Sequence, residues 1–518
     1  MRRPDRSPET LVERLTPSMP SAGWRGWLGP IIVAAIAGIL RFTELGRPHE
    51  VVFDETYYAK DAWGLLRFGV EHQEVEGHKE LMLSAGDNWR AVDVFTNEGS
   101  FVVHPPIGKW VIGIGEYLFG VSPFGWRFMV ALLGTIAVLM IARIVRRLTR
   151  SDALGIIAGL LLAIDGIHLV LSRTALTDLT LGFFVLAAFG ALLLDRDRTR
   201  SRLAHMVQLR GLDSVSQGLG PWLGLRPWRW AAIALLGLAV ATKWSGAYFA
   251  AAFIVMSLAW DIGARRSVGV DHPYSATLVR DAPMALLGSA FGIAAIYLAS
   301  WSGWFFTDTG WGRNWAADKG PSPVPNALRS WWHYHAQMWN FHVNLDETHS
   351  YQSNPLSWPF MTRPTSFSYS GDLTGCGADK CSAEVLALGN PVIWWAALLA
   401  IPYQLWRWAT QRDWRSGAVL VGIAAGWLPW LLYLNRTVFT FYTVAYVPFV
   451  VMAVTLTIGA LAAWARPGEV KRQRTTYILI TVYLLSAVAA AWFFYPVWTG
   501  EVLPYSDWLL RMWLPTWV

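Results

Sequence analysis

Apolar positions in this chain gather into runs of roughly 20 residues, the length an α-helix needs to cross the hydrocarbon core of a bilayer. Eleven runs are predicted as spans, near 27–45, 124–142, 153–171, 174–194, 229–242, 244–261, 282–301, 389–406, 417–434, 438–464 and 476–498. The fifth and sixth are short and nearly merged. The first has spanning length and no small-residue cleavage motif behind it, so it is expected to stay as an uncleaved anchor. Two long polar segments interrupt the pattern, 46–123 and 302–388. Within the first, Asp54 to Val70 and Ile107 to Phe119 mix apolar and polar positions at helical spacing, which predicts amphipathic helices at the membrane surface on either side of an irregular stretch, 71–103. Pro105 and Pro106 suit the opening of the second helix, where a missing N–H costs nothing. The segment 195–228 is polar and Arg-rich with little periodicity, and predicts a flexible loop. No internal repeat is visible.

Composition narrows the class. The 518 residues are 54% hydrophobic and 15% charged, against about 25% charged in soluble domains, and the mean hydropathy is +0.33. The expected fold is therefore an all-α polytopic membrane protein. Tryptophans at run ends (Trp24, Trp27, Trp228, Trp230, Trp301, Trp304, Trp394, Trp395) fit the headgroup layer. The net charge of +7 does not indicate nucleic acid, because the basic residues fall in short segments between runs. Placing the N-terminus in the cytoplasm makes every inner segment basic, as the positive-inside rule asks. These segments carry Arg2, Arg3, Arg6, Arg14 and Arg25, then Arg143, Arg146, Arg147 and Arg150, then Arg196 to Arg229 in the polar loop. Later ones carry Arg265, Arg266 and Arg280, then Arg407, Arg412 and Arg415, then Arg466, Lys471, Arg472 and Arg474. The two long segments and the C-terminus then face outward. The first of these is rich in Asp and Glu, so function is expected on the outer face of a plasma membrane. Four regions follow: a tail over 1–26, a membrane module over 27–301, an outer loop over 302–388 and a C-terminal membrane region over 389–518.

The candidate chemistry starts at Asp54-Glu55, about ten residues beyond the first run. Carboxylates beside a membrane are costly unless water, a partner or a reaction retains them. An ionised carboxylate there can take a proton from an attacking alcohol; the plainer reading is that the pair caps the following helix. Lys243 interrupts an apolar stretch with no acid near it in sequence, and either meets an anionic headgroup or snorkels from a hairpin. Arg127 opens the second run and is a candidate for the same phosphate or for the acidic pair. Arg173 has Asp178 about a turn away, a possible ion pair closing a hairpin. His333, His335, His342 and His349 share no one metal-ligand spacing, and structural or substrate-positioning roles are expected of them. Cys376 and Cys381 predict a small disulfide loop if their segment lies outside the cytoplasm, in preference to a CxxxxC metal site.

The ordered set Arg41-Phe42, Val52-Phe53-Asp54-Glu55, His104-Pro105-Pro106, Leu171-Ser172-Arg173 and Thr242-Lys243-Trp244-Ser245-Gly246 resembles the protein O-mannosyltransferases, membrane glycosyltransferases of the GT-C class. Leu388-Gly389-Asn390-Pro391 and Phe441-Tyr442-Thr443-Val444-Ala445-Tyr446-Val447-Pro448 resemble that family's C-terminal region. The segment 302–388 is too short for the β-trefoil MIR domain of eukaryotic members, so the likeness is to the actinobacterial branch. The resemblance implies a GT-C fold, a polyprenyl phosphate mannose donor, and Ser or Thr of an exported polypeptide as acceptor, with the export machinery as a further partner. It implies Asp54 as catalytic base, Glu55 and His104 as organisers of the site or acceptor, and Lys243, Arg127 and Arg173 as holders of the donor phosphate. An inverting single displacement is implied, which requires no cofactor and leaves a divalent metal open. Two alternatives stand beside it: another GT-C transferase acting on a lipid or polysaccharide, and a transporter or flippase, which calls for paired repeats.

Overall fold

The computed structural model describes residues 8–20, 23–465 and 468–518, and shows a bundle of long helices. Arg2, Arg3, Arg6 and Arg466 of the topology argument lie outside the described residues. Each apolar run coincides with helix: Arg25–Phe42, Pro123–Thr149, Asp152–Ala163, Thr177–Arg210, Pro227–Val240, Gly246–Ser267, Ala282–Ser300, Pro391–Gln411, Trp414–Trp427, Val447–Trp464 and Val470–Thr499. Among the described residues, 8 helices are long and apolar enough to cross a membrane, while Asp152–Ala163 and Pro227–Val240 are shorter apolar helices. The third run does not continue unbroken to 171. Asp165 ends it and caps a second piece, Gly166–Leu171, by accepting the His168 amide at 3.0 Å.

Local chemistry fixes several of these starts. Ser122 and Ser151 are extended residues whose hydroxyls accept from Gly125 and Leu154, satisfying amides that have no partner within the helix. The helix Thr177–Arg210 runs through the middle, with 72% of its apolar window buried. Val470–Thr499, with 17% buried, turns most of its apolar surface outward, as a lipid-facing helix does.

The flexible loop expected over 195–228 is a helix as far as Arg210. Leu203, Ala204 and Val207 form a buried stripe there against Leu11 and Leu15 of the helix Pro8–Leu15. Asp197 accepts from Arg147 and Arg150 at 2.8 Å each. Three apolar positions among many arginines are too sparse to register as periodicity, yet enough to seat the helix.

The first polar segment contains the helices Glu55–Phe68 and Ile107–Phe119 where the pattern placed them. The stretch between carries a short antiparallel pair, His72–Glu74 with Phe95–Gly99. The segment 302–388 adds a helix, Asn326–Val343, and strands Thr365–Leu373 and Cys381–Ala387, paired antiparallel. Leu503–Pro504 joins as a third strand, tying the end of the chain to this hairpin. The Cys376–Cys381 disulfide closes the hairpin end.

Candidate active site

Asp54 and Glu55 lie on a turn at the start of Glu55–Phe68, and the turn gives them opposite fates. The Glu55 amide donates to the Val52 carbonyl at 3.0 Å, and the Val52 amide donates to Glu55 Oε2 at 3.0 Å. Phe53, inside the turn, has φ +47°, a left-handed conformation that a bulky residue holds only when its surroundings enforce it. Here Phe53 stacks on Phe367 at 4.8 Å between ring centroids and meets the edges of Phe439 and Phe441.

Glu55 is fully buried. Its Oε1 accepts from Arg127 Nε at 2.8 Å and from the Ala175 amide at 2.9 Å, and its Oε2 accepts from Arg127 Nη2 at 2.8 Å. The remaining N–H groups of Arg127 go to the carbonyls of Leu45, Pro48 and Glu50. A guanidinium has five donors, and here all are committed to protein. Direct phosphate contact expected of Arg127 does not fit this geometry; Arg127 and Glu55 instead anchor the turn to the bundle.

Arg173 directs its Nη1 and Nη2 to backbone carbonyls. It donates to the carbonyls of Arg41 and Thr43 at 2.7 Å and of Glu44 at 2.9 Å, satisfying the open end of the helix Arg25–Phe42. The ion pair with Asp178 expected of Arg173 is not made. Asp178 opens the helix Thr177–Arg210 and accepts instead from Lys243 Nζ at 2.8 Å. Lys243 sits in the turn between Pro227–Val240 and Gly246–Ser267, with its ammonium 4.2 Å from the centre of the Tyr442 ring. Burial opposes the charge on Lys243, but Asp178 and Tyr442 overcome it and raise its pKa.

The His104-Pro105-Pro106 segment joins this centre through the Ile107 amide, which donates to the Ala241 carbonyl at 3.1 Å. A Cβ on Gly108 would lie 2.7 Å from Thr177 Cγ2 and 3.1 Å from Thr242 Cγ2, so only glycine lets the three elements approach this closely. The His104 ring lies 6.1 Å from that of Tyr58 and stacks on His342 at 5.3 Å. Burial, with Lys243 adding to it, holds His104 well below its usual pKa and therefore neutral at pH 7.

Asp54 remains. It stands at the helix start without capping it, and among the described residues its carboxylate accepts no hydrogen bond. Burial raises its pKa to about 7, with Lys243 pulling it down and Asp178 pushing it up. Both protonation states are therefore populated near neutrality, which suits a group that must collect a proton and release it.

The other histidines diverge. His333 stacks on Trp315 at 4.0 Å, His335 meets the Tyr297 hydroxyl at 2.9 Å, and His349 meets the edge of the Phe439 ring at 5.1 Å. Among the described residues no group of three or more His, Cys, Asp or Glu could hold a metal ion. Sequence reasoning passed over Asp178 as the partner of Lys243, Tyr442 as its π-face, and Arg436, beside His342. Tyr442 stood within a quoted motif; the pairing of Asp178 across 65 residues left no local signal.

The chain as a whole is similar to known proteins. The family described as "Dolichyl-phosphate-mannose-protein mannosyltransferase" matches residues 31–269, and "C-terminal four TMM region of protein-O-mannosyltransferase" matches 327–517. Among curated relatives, the polyprenol-phosphate-mannose–protein mannosyltransferase of Mycobacterium tuberculosis is 39% identical over 99% of this chain and 97% of its own. Its namesake in Mycolicibacterium smegmatis is 40% identical over 95% and 93%, and that of Corynebacterium glutamicum 32% over 94% and 92%. In fold, the chain resembles the Saccharomyces cerevisiae protein O-mannosyltransferase Pmt1-Pmt2 complex bound to the sugar donor, with TM-score 0.69 and 14% identity over 98% of this chain and 94% of that one.

Proposed function

The chain belongs to the dolichyl-phosphate-mannose-protein mannosyltransferase family, and from that premise we propose that it transfers mannose from a polyprenyl phosphate mannose to Ser or Thr hydroxyls of polypeptides outside the cytoplasm. The observation that carries the reading is Asp54: a carboxylate with no hydrogen-bond partner among the described residues, a pKa near 7 and a buried cation, Lys243, acting on it. Its neighbour Glu55 has neither freedom nor a ligand-facing oxygen.

In this mechanism the acceptor oxygen attacks C1 of the sugar on the face opposite the lipid phosphate. The new C1–O bond forms as the C1–O bond to phosphate breaks. The hydroxyl proton passes to Asp54, and the electron pair of the broken bond leaves on the phosphate. A single displacement inverts C1 and needs no covalent sugar–enzyme intermediate. Phosphate leaves without a general acid when fixed positive charge faces it, and Lys243 supplies part of that charge while keeping Asp54 ionisable. The chemistry does not call on a metal ion. Glu55, Arg127, Arg173 and His104 shape the site rather than touch the reacting atoms. The basic short segments support an outer position for the Asp54 end of the bundle, where it would meet a translocating polypeptide and the export machinery.

The test uses protein in lipid nanodiscs with radiolabelled polyprenyl phosphate mannose and a Ser/Thr-rich peptide. Wild type is expected to label peptide hydroxyls, and Asp54→Asn to leave them unlabelled. Absence of transfer by folded wild type from any lipid-linked mannose would point to another donor or return the transporter reading; full activity in Asp54→Asn would remove the proposed base and keep the enzyme.

A further inference from the structure

With Arg127 and Arg173 committed to protein acceptors, one guanidinium near the Asp54 site stands apart. Arg436 lies on the segment between the turns Leu428–Leu432 and Thr440–Ala445. Its Nε is buried and has no hydrogen-bond partner, and among the described residues no carboxylate forms an ion pair with it. Among the described residues its one polar side-chain contact is from Nη2 to His342 Nδ1 at 3.3 Å, and its guanidinium carbon lies 5.9 Å from the Trp430 ring centre.

The segment that carries Arg436 is part of the site's wall. Phe439 and Phe441 hold Phe53, the residue before Asp54, and Tyr442 covers Lys243. The backbone just after it is pinned twice, the Thr437 amide donating to the Leu345 carbonyl at 3.3 Å and the Ser353 amide to the Val438 carbonyl at 2.9 Å, and the Arg436 amide itself donates to the Tyr433 carbonyl at 3.1 Å. Arg436 is therefore placed by a fixed loop.

The contact with His342 has a direction that the surrounding atoms decide. His342 Nε2 lies 2.8 Å from the Val103 carbonyl oxygen, which can only accept, so Nε2 carries the proton. Nδ1 then presents its lone pair, and the Arg436 N–H donates to it. A protonated His342 would turn an N–H toward a guanidinium; burial holds this ring's pKa down to about 4 and keeps the lone pair available. An Nε–H buried without a partner is costly, and phosphate is the anion whose oxygens match the guanidinium's fork of donors.

Building on the transferase reading, we propose that Arg436, aimed by His342, binds the phosphate of the lipid-linked donor and stabilises it as the leaving group. The cationic half of the site then comes from the C-terminal region, and the base from the first polar segment. Lys243 keeps its pairing with Asp178, and Arg436 brings the unpaired positive charge.

Equilibrium binding of a short-chain polyprenyl phosphate to the nanodisc-embedded protein tests this apart from sugar transfer. Arg436→Ala is expected to weaken binding about 10- to 100-fold, with millimolar methylguanidinium restoring part of it, and to lower both transfer and donor affinity. Arg436→Lys should keep a fraction of the affinity. His342→Gln, whose amide oxygen accepts an N–H, should bind better than His342→Leu, a ranking that a packing role would not produce. Competition by inorganic phosphate or by phosphatidylglycerol vesicles, equal to that of polyprenyl phosphate, would replace the donor with a general phosphate or headgroup site. Wild-type affinity in a folded Arg436→Ala overturns the assignment while leaving the transferase reading intact. Failure of wild type to bind polyprenyl phosphate at all overturns both.

Discussion

The helix Thr177–Arg210 has a buried ionic cluster near its start and another further along, separated by the 17 residues from Asp178 to Asp195, about 26 Å at an α-helical rise. The second is closed in charge. Arg226 donates to Asp195 and Asp261 at 2.9 Å, and Arg229 donates to Asp261 at 2.6 Å. Two arginines face two aspartates, and all four are almost fully buried. Beside them Arg265 and Asp281 pair at 2.8 Å. At the Asp178 end the same residue types do not cancel so neatly. Lys243 and Asp178 pair, as do Arg127 and Glu55, but among the described residues Asp54 accepts no hydrogen bond and Arg436 meets an imidazole rather than a carboxylate. Closed ion pairs hold helices in register; open ones leave a base and a cation for something that arrives. Burial follows the same division: the four residues of the closed cluster are almost fully buried, whereas Asp54 and Arg436 are partly exposed.

The contrast is broken most directly at Asp54. Asp54→Asn should reduce transfer by about 10²- to 10⁴-fold or more, with thermal unfolding unchanged or raised, since a partnerless carboxyl is removed. A cooperative loss of stability in Asp54→Asn would mean that this end is a structural cluster after all. Arg226→Met reverses the pattern: it should cost on the order of 3–5 kcal/mol of stability by leaving buried aspartates unpaired, while turnover per folded molecule stays near wild type.

A pH series sharpens the comparison next. If Asp54 must be ionised to accept the hydroxyl proton, the rate should climb as pH rises through about 7. Lys243 lowers that pKa, so Lys243→Met should move the limb to higher pH besides slowing the reaction. An unmoved limb would assign the titration elsewhere.

The smallest expected effect lies in the sheet. Burial raises the Glu384 pKa to about 7, with hydrogen bonds from Ser366 and Trp508 opposing that rise. For a raised acid, stability is present at low pH and is lost as pH rises from the unfolded value toward 7. Glu384→Gln should therefore stabilise the protein at pH 8, by on the order of 1–3 kcal/mol, and change little at pH 4, as read by thermal unfolding at the two pH values.

Much of this architecture was legible along the chain because bilayer-length apolar runs carry their own signal. All eleven runs contain helix, and Glu55–Phe68 and Ile107–Phe119 lie where amphipathic spacing placed them. Pattern reading failed where stability comes from distant partners. The arginine-rich continuation to Arg210 is helical because Leu11 and Leu15 cover its sparse apolar stripe. The strand Leu503–Pro504 is too short to register until it pairs with Cys381 and Ser382.

Within the site, the sequence by itself determined which chemistries were at hand: adjacent carboxylates beyond a span, an isolated lysine, a proline-opened helix and a set of motifs specific enough to indicate the family. Residue type and spacing suffice for that, since a carboxylate or an ammonium beside a membrane is rare enough to be informative. Only the tertiary structure decided which of these groups are free. Glu55 and Arg127 are joined across 72 residues, Lys243 and Asp178 across 65, and Arg436 and His342 across 94. Whether a charge is available to a ligand depends on how many of its hydrogen bonds are already made, and those partners are brought together by packing, not by proximity along the chain.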